Sequence, residues 1–224
     1  MNTHWRPGSR VARLRASHSF GFVLFLVVVL FLAMASLPDA SWARSVIVLL
    51  QATLLVTALW TSGLWQDRRA AIFLALVGVL AACAELLVGG GRFSGFVAII
   101  EVALVLASIV VIAIGVIDQH DVNAQSVLGA ISIYVLLGVV FVFVYGAAAV
   151  LGSGPFFAQG TDGTVALRLY FSYVTLATLG YGDYTAASDF GHAVSVVEAM
   201  TGQLYLVTVL ALLVGQFARR DRPA

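Results

Sequence analysis

Lysine is absent from this 224-residue chain, and acidic and basic residues together make up only 10% of it. An average soluble domain has about a quarter of its residues charged. Hydrophobic residues account for 61% of the chain, which is more than a fold of this length could bury away from water. The composition therefore predicts an integral membrane protein whose apolar surface is covered by the lipid bilayer.

The chain has one cysteine, Cys83, which excludes an intrachain disulfide. Its formal net charge of +1 gives no electrostatic argument for a nucleic-acid partner. The four histidines are scattered, and the sequence has no metal-ligand spacing and no phosphate-binding glycine loop before a helix. We therefore expect neither an enzyme nor an organic cofactor.

Long apolar runs predict six transmembrane helices, each with about the 20 residues that cross a bilayer. Charged or glycine-rich breaks such as Gln66-Asp67-Arg68-Arg69 separate them. The predicted spans are residues 20–37, 45–65, 70–88, 95–117, 126–151 and 191–217.

The arginines predict the orientation, because cytoplasmic loops carry the excess of positive charge. With six crossings, nine of the twelve basic residues lie on one side, and only Arg44, Arg92 and Arg168 lie on the other. Both termini are therefore expected in the cytoplasm of a multi-pass cell-membrane protein. As an alternative, residues 1–35 have the basic start, apolar run and Ala-Met-Ala sequence of a cleaved signal peptide.

Between the fifth and sixth predicted spans, the apolar sequence VALRLYFSYVTLAT is too short to cross a membrane. A stretch of this length is typical of a re-entrant segment. It overlaps the sequence TLGYG, in which Gly180 and Gly182 permit positive φ angles. These features predict a short helix that enters from the outer side. An extended strand that runs back toward the outer side should follow. Alternating dihedral angles in this strand would point successive carbonyls to one side.

The sequence TLGYGD, residues 178–183, resembles the selectivity-filter signature of the potassium-channel superfamily. The wider YFSYVTLATLGYGD and the later EAMTGQLYL are similar to bacterial six-transmembrane channels with one pore domain per chain. The resemblance covers about residues 126–217. It implies an all-α fold in which six transmembrane helices carry a re-entrant pore helix and filter loop between helices five and six.

The resemblance also implies passive, potassium-selective conduction by a homotetramer, because each chain supplies one filter segment. The resemblance leaves open whether an unseen regulatory subunit also binds the channel. The implied domains are a cytoplasmic segment 1–19, a four-helix domain 20–121, a pore domain 122–217 and a short cytoplasmic tail 218–224. The residues implied to bind K⁺ in the filter are Thr178, Leu179, Gly180, Tyr181 and, at its mouth, Gly182.

Four further residues are expected to support the filter. Tyr170 and Phe171 take positions where the family often has a cuff of aromatic rings, and the Tyr170 hydroxyl is expected to bond Asp183. Thr175 lies near the carboxyl end of the pore helix, where the helix dipole favours a cation.

Three positions depart from the family pattern. Leu179 stands where valine is commoner, Ala177 replaces a hydroxyl residue, and Ala186 replaces a common proline. None of these changes removes a coordinating oxygen. Because of Leu179 and Ala177, a weakly selective cation channel is one alternative function. A second alternative is a non-conducting membrane sensor or assembly subunit with a pore-like fold.

Gly202 in the sixth span is interpreted either as a gating hinge or as a site of close helix packing. Glu198 is expected to face the pore helix and bond its hydroxyl groups. The fourth span has no lysine or arginine, so we expect no arginine-based voltage sensor. Glu85 and Glu101 are expected near the outer leaflet, in ion pairs with arginine or in a proton-sensing site.

Overall fold

The structure of the chain is a computed structural model that describes residues 20–62, 69–88, 93–118 and 123–220. These residues fold mainly into α-helices, and a π-helix, Leu206–Leu210, joins the last two. The α-helices are α1 (Phe20–Ser36), α2 (Ser41–Thr61), α3 (Arg69–Val88), α4 (Phe93–Ile117), α5 (Ala124–Leu151), α6 (Val165–Leu176), α7 (Asp189–Tyr205) and α8 (Ala211–Arg220).

Four helical segments among these residues are long and apolar enough to cross a membrane. They are Ser41–Thr61, Val97–Ile117, Ala124–Leu151 and Asp189–Gln216. Helices α1 and α6 are apolar but shorter, with 17 and 12 described residues. The structure therefore supports a helical membrane protein, while the number of six spans remains a prediction.

The start of α2 differs from the prediction. The sequence places Arg44 in an outer loop, but the structure places it in the first turn of α2. The connection from α1 is tight, since the N–H of Ala40 donates to the carbonyl of Pro38 at 2.8 Å. A turn this short leaves Ser41 as the first helical residue, four positions earlier than predicted.

Helix α5 lies at the centre of the packing. It contacts α1, α4, α6 and α7, and one continuous hydrophobic core includes side chains of all these helices, with Tyr205 of α7 packed against it. Val27, Leu104 and Leu136 supply fully buried side chains to this core from α1, α4 and α5. The position of α6 is therefore set by α5 and also directly by α1, where the rings of Phe31 and Tyr173 have centroids 5.0 Å apart.

The amino terminus of α6 is capped twice. The Thr164 hydroxyl accepts a hydrogen bond from the N–H of Leu167 at 3.0 Å. Asp39, in the loop between α1 and α2, accepts one from the N–H of Val165 at 3.2 Å. Both bonds satisfy donors that a helix start leaves without partners, and the acidic group also suits the positive end of the helix dipole. The α1–α2 loop is thereby joined to the start of α6.

We expect Asp39→Ala to lower the free energy of unfolding by about 1 kcal/mol, because it removes the second cap of α6. Asp39→Asn keeps an acceptor oxygen and should retain most of the stability. Thermal unfolding of the detergent-solubilised chain measures both variants. Equal losses in the two variants would contradict capping by the side-chain oxygen.

Candidate functional site

The segment Thr178–Gly182, called the filter segment below, follows α6 without regular secondary structure. Its φ angle is positive at alternate residues, 56° at Thr178, 55° at Gly180 and 78° at Gly182. Among the residues the structure describes, Thr178 is the only non-glycine residue with a positive φ, a conformation that costs about 1–2 kcal/mol. The alternation allows successive carbonyls to point to the same side.

The first three N–H groups of the filter segment are bound by the carboxyl end of α6. Thr178 donates to the carbonyl of Thr175 at 2.9 Å, and Leu179 donates to the carbonyl of Val174 at 2.8 Å. In the described ranges, no hydrogen bond is accepted by a carbonyl of the filter segment. The donors therefore face α6, and the carbonyl oxygens remain available to replace the hydration shell of a cation.

The hydrogen bond expected beside the filter segment is present. The Tyr170 hydroxyl donates to Asp183 Oδ2 at 2.7 Å, and this bond raises the pKa of Tyr170 to about 12. The phenol therefore remains a donor at neutral pH. The rings of Tyr170 and Tyr181 also stack, with centroids 6.4 Å apart and an angle of 21° between their planes. Both contacts join the outer half of the filter segment to α6.

Phe171 lies in an aromatic cluster that also includes Ala186, four residues after the filter segment, and its part in an aromatic cuff stays a prediction. Its ring packs against those of Tyr145, Phe156 and Phe157, with centroids 5.1, 6.2 and 5.2 Å away. Consecutive helical residues point about 100° apart. Phe171 therefore cannot face the same side of α6 as Tyr170, and it is buried toward α5 instead.

The outer loop, residues 152–164, holds the chain just after the filter segment. The N–H of Ala158 donates to the carbonyl of Thr185 at 2.9 Å. Gln159 Nε2 donates to the carbonyl of Asp183 at 2.8 Å. These contacts were not predicted from the sequence. The adjacent Phe156 and Phe157 in this glycine-rich loop indicate that it packs inward.

Gly202 permits α7 to approach the end of α6. A Cβ atom at Gly202 would lie 2.5 Å from the backbone oxygen of Leu176 and 2.8 Å from its Cδ1 atom. The next residue, Gln203, donates from Nε2 to Thr178 Oγ1 at 3.3 Å. Of the two interpretations of Gly202, the geometry favours close packing, and the irregular backbone of this span lies further on, at Leu206–Leu210.

Glu198 is fully buried where α7 meets α5 and α6. Its carboxyl group contacts the hydroxyls of Ser172 and Tyr145. The contact with Ser172 agrees with the expectation that Glu198 bonds hydroxyl groups of the pore helix. Tyr145 is a partner that the sequence analysis did not find.

Of the two acids expected near the outer leaflet, the structure describes the side chain of Glu101 and not that of Glu85. Glu101 is buried in α4 and lines a cavity of about 250 Å³ together with Asp39, Arg44 and Arg168. Glu85 belongs to α3, but its side chain lies outside the described residues, as does Arg92. Whether Glu101 forms an ion pair or senses protons stays a prediction.

Residues 129–219, which contain the filter segment, match the model of a family described as an ion channel. The match supports an ion-channel family. No solved structure matches the chain. The ion-channel region begins within α5 and includes α6, α7, the π-helix and nearly all of α8. It therefore includes Thr175, Glu198 and Gly202 as well as the filter segment.

We expect Gly202→Ala to destabilise the fold by about 1–3 kcal/mol, because the added methyl group would overlap a backbone oxygen of α6. Gly215→Ala is the matched control, since a Cβ there meets no atom within 4 Å. Thermal unfolding in detergent measures both. Equal stability of the two variants would contradict the close packing of Gly202.

Proposed function

We propose that the chain forms a potassium-selective channel, in which four copies place their filter segments around one axis. The observation that carries this proposal is the filter segment itself, with alternating φ signs, its first three N–H groups bound to α6, and carbonyls that accept no hydrogen bond from any described residue. Fourfold cyclic assembly would stack these oxygens into rings that replace the water around K⁺. The proposed ligands are the carbonyls of Thr178, Leu179, Gly180 and Tyr181 and the Thr178 hydroxyl, with Gly182 at the outer mouth.

The exposed surface of α7 supports assembly into a tetramer. In a single chain the apolar residues of α7 and the π-helix that are more than half exposed include Val196, Val197, Met200, Leu204 and Val207. Their spacing places them along one side of the helix. In a membrane such a stripe is covered by lipid or by another protein chain. Because α7 packs at Gly202 against the end of α6, beside the filter segment that the proposed axis contains, we assign the stripe to the neighbouring copies.

The proposed topology has six transmembrane helices, both termini in the cytoplasm, and α6 entering the cell membrane from the outer side without crossing it. Asp183, Tyr170 and Thr175 are proposed to support the filter segment through their contacts with it or with each other. The absence of basic residues between Phe93 and Ile117 argues against gating by an arginine voltage sensor.

Ion flux into liposomes tests the proposal. The purified protein should give a reversal potential that follows the K⁺ gradient and ignores the Na⁺ gradient. A potential that is the same for both ions would favour the weakly selective cation channel. Absence of flux would favour the non-conducting subunit.

We expect Gly182→Ala to abolish K⁺ selectivity, because an alanine at a φ of 78° is strained and would turn the filter backbone. Gly160→Ala is the matched control, since Gly160 has a φ of 79° in the outer loop, and a Cβ meets no atom within 4 Å at either position. The control has similar backbone strain outside the proposed ion path and should keep selective flux. If both variants lose selectivity together, strain and not position explains the loss.

We expect Tyr170→Phe to accelerate the decline of K⁺ current during sustained conduction, because it removes the hydrogen bond to Asp183. Tyr184→Phe removes a neighbouring hydroxyl, while its ring contact with Phe157, at 5.6 Å between centroids, can remain. Current recordings from reconstituted bilayers compare the two variants. Unchanged current decay in Tyr170→Phe would refute a supporting role for this bond.

A further inference from the structure

The carboxyl group of Glu198 has polar contacts but no cationic partner. It is fully buried, and one of its oxygens contacts Ser172 of α6 while the other contacts Tyr145 of α5. In the part of the chain that the structure describes, no basic side chain bonds to it. A buried carboxylate without a positive partner is strongly unfavourable, so the protonation state of Glu198 needs a physical explanation.

The Ser172 hydroxyl has one proton but two hydrogen-bond contacts, and each contact needs a proton between its two oxygen atoms. Its Oγ atom lies 2.9 Å from the backbone carbonyl of Gly138 and also contacts Glu198 Oε1. A carbonyl oxygen can only accept, so the Ser172 proton is the one available for the bond to Gly138. The remaining contact, between Ser172 and Glu198, then needs a proton from the carboxyl group.

The second carboxyl oxygen has a different partner. The Tyr145 hydroxyl contacts Glu198 Oε2 and lies 3.4 Å from Ser195 Oγ. Ser195 directs its own proton to the carbonyl of Gly191 at 2.9 Å. Tyr145 donates to the nearer acceptor, Glu198. One carboxyl oxygen therefore accepts a hydrogen bond, and the other is placed to donate one.

We propose that Glu198 is protonated in the folded protein, and that its neutral carboxyl group links α5, α6 and α7 by accepting from Tyr145 and donating to Ser172. Ser172 in turn donates a hydrogen bond to the backbone carbonyl of Gly138 in α5. Ionisation of Glu198 removes one proton from this chain and leaves two oxygens in contact without a hydrogen between them. The carboxyl group is thus a positioning group for α6.

Other titratable groups near Glu198 do not change this assignment. Tyr173 of α6 donates its own hydroxyl proton to the carbonyl of Val135 at 2.6 Å. On α7 the ring of His192 bonds the carbonyl of Ala186 at 2.8 Å. Neither of these contacts gives Glu198 a cationic partner.

The effect on conduction rests on the proposed channel function, whereas the protonation of Glu198 does not. Ser172 lies six residues before Thr178, and Glu198 lies four residues before Gly202, where α7 meets the end of α6. Loss of the link should therefore shift the end of α6 that binds the N–H groups of the filter segment.

Glu198→Gln and Glu198→Ala in the full-length detergent-solubilised protein test the proposal. Glutamine reproduces a neutral carboxyl group, since its carbonyl can accept from Tyr145 and its amide can donate to Ser172. At neutral pH we expect Glu198→Gln to unfold at the wild-type temperature or above it, because glutamine is neutral without binding a proton, and Glu198→Ala to unfold roughly 5 °C lower than wild type or more. If glutamine is as damaging as alanine, the carboxyl group is not neutral and the proposal is wrong.

Infrared spectroscopy gives a second readout that a purely structural role would not produce. The difference spectrum of wild type minus Glu198→Gln should contain the carbonyl band of a protonated carboxyl group, and its absence would overturn the proposal. As the pH rises from about 4.3, where a glutamate in the unfolded chain ionises, wild type should lose stability relative to Glu198→Gln, because the folded state keeps a proton that the unfolded state has released. Neither measurement depends on K⁺ flux, so the two proposals fail separately.

Discussion

The hydrogen bonds from the filter segment to the carboxyl end of α6 are the constraint on which the rest of this region depends. They bind the N–H groups of Thr178 and Leu179 on one side of the chain, and no residue that the structure describes donates a hydrogen bond to the carbonyls of the filter segment. The side of this backbone that faces away from α6 therefore presents carbonyl oxygens. Its position depends on the position of α6. The contacts of α6 with the rest of the molecule therefore decide the geometry of the proposed ion path.

Helix α6 is fixed at its start, middle and end by three different kinds of contact. Asp39 caps its first turn from the α1–α2 loop, Glu198 contacts its middle from α7, and Gly202 permits α7 to touch its last residue. The first contact comes from the four-helix part of the chain and the other two from the matched ion-channel region. A movement of either part would reach the filter segment through α6, with no direct contact needed.

The sequence predicted the features that short local patterns control. The limits of α6, the filter segment and the bond from Tyr170 to Asp183 lie within a few turns of chain, where residue type and spacing are informative. The contact of Glu198 with Tyr145 and the capping by Asp39 could not be predicted, because they join residues 53 and 126 positions apart. A family pattern gives Phe171 as an aromatic residue without the direction of its ring, so its packing against Tyr145 and Phe157 could not be predicted either.

The π-helix at Leu206–Leu210 has a consequence for the register of the span. Its i→i+5 bonding, with the N–H of Ala211 donating to the carbonyl of Leu206, accommodates one residue more than an α-helical turn. The residues beyond it are therefore rotated by about 100° relative to an uninterrupted helix. The side of the span that carries Val196 and Met200 does not continue in phase into α8. Consequently, on that side of the span the half that contains α8 can present a different set of side chains than the half beside the filter segment.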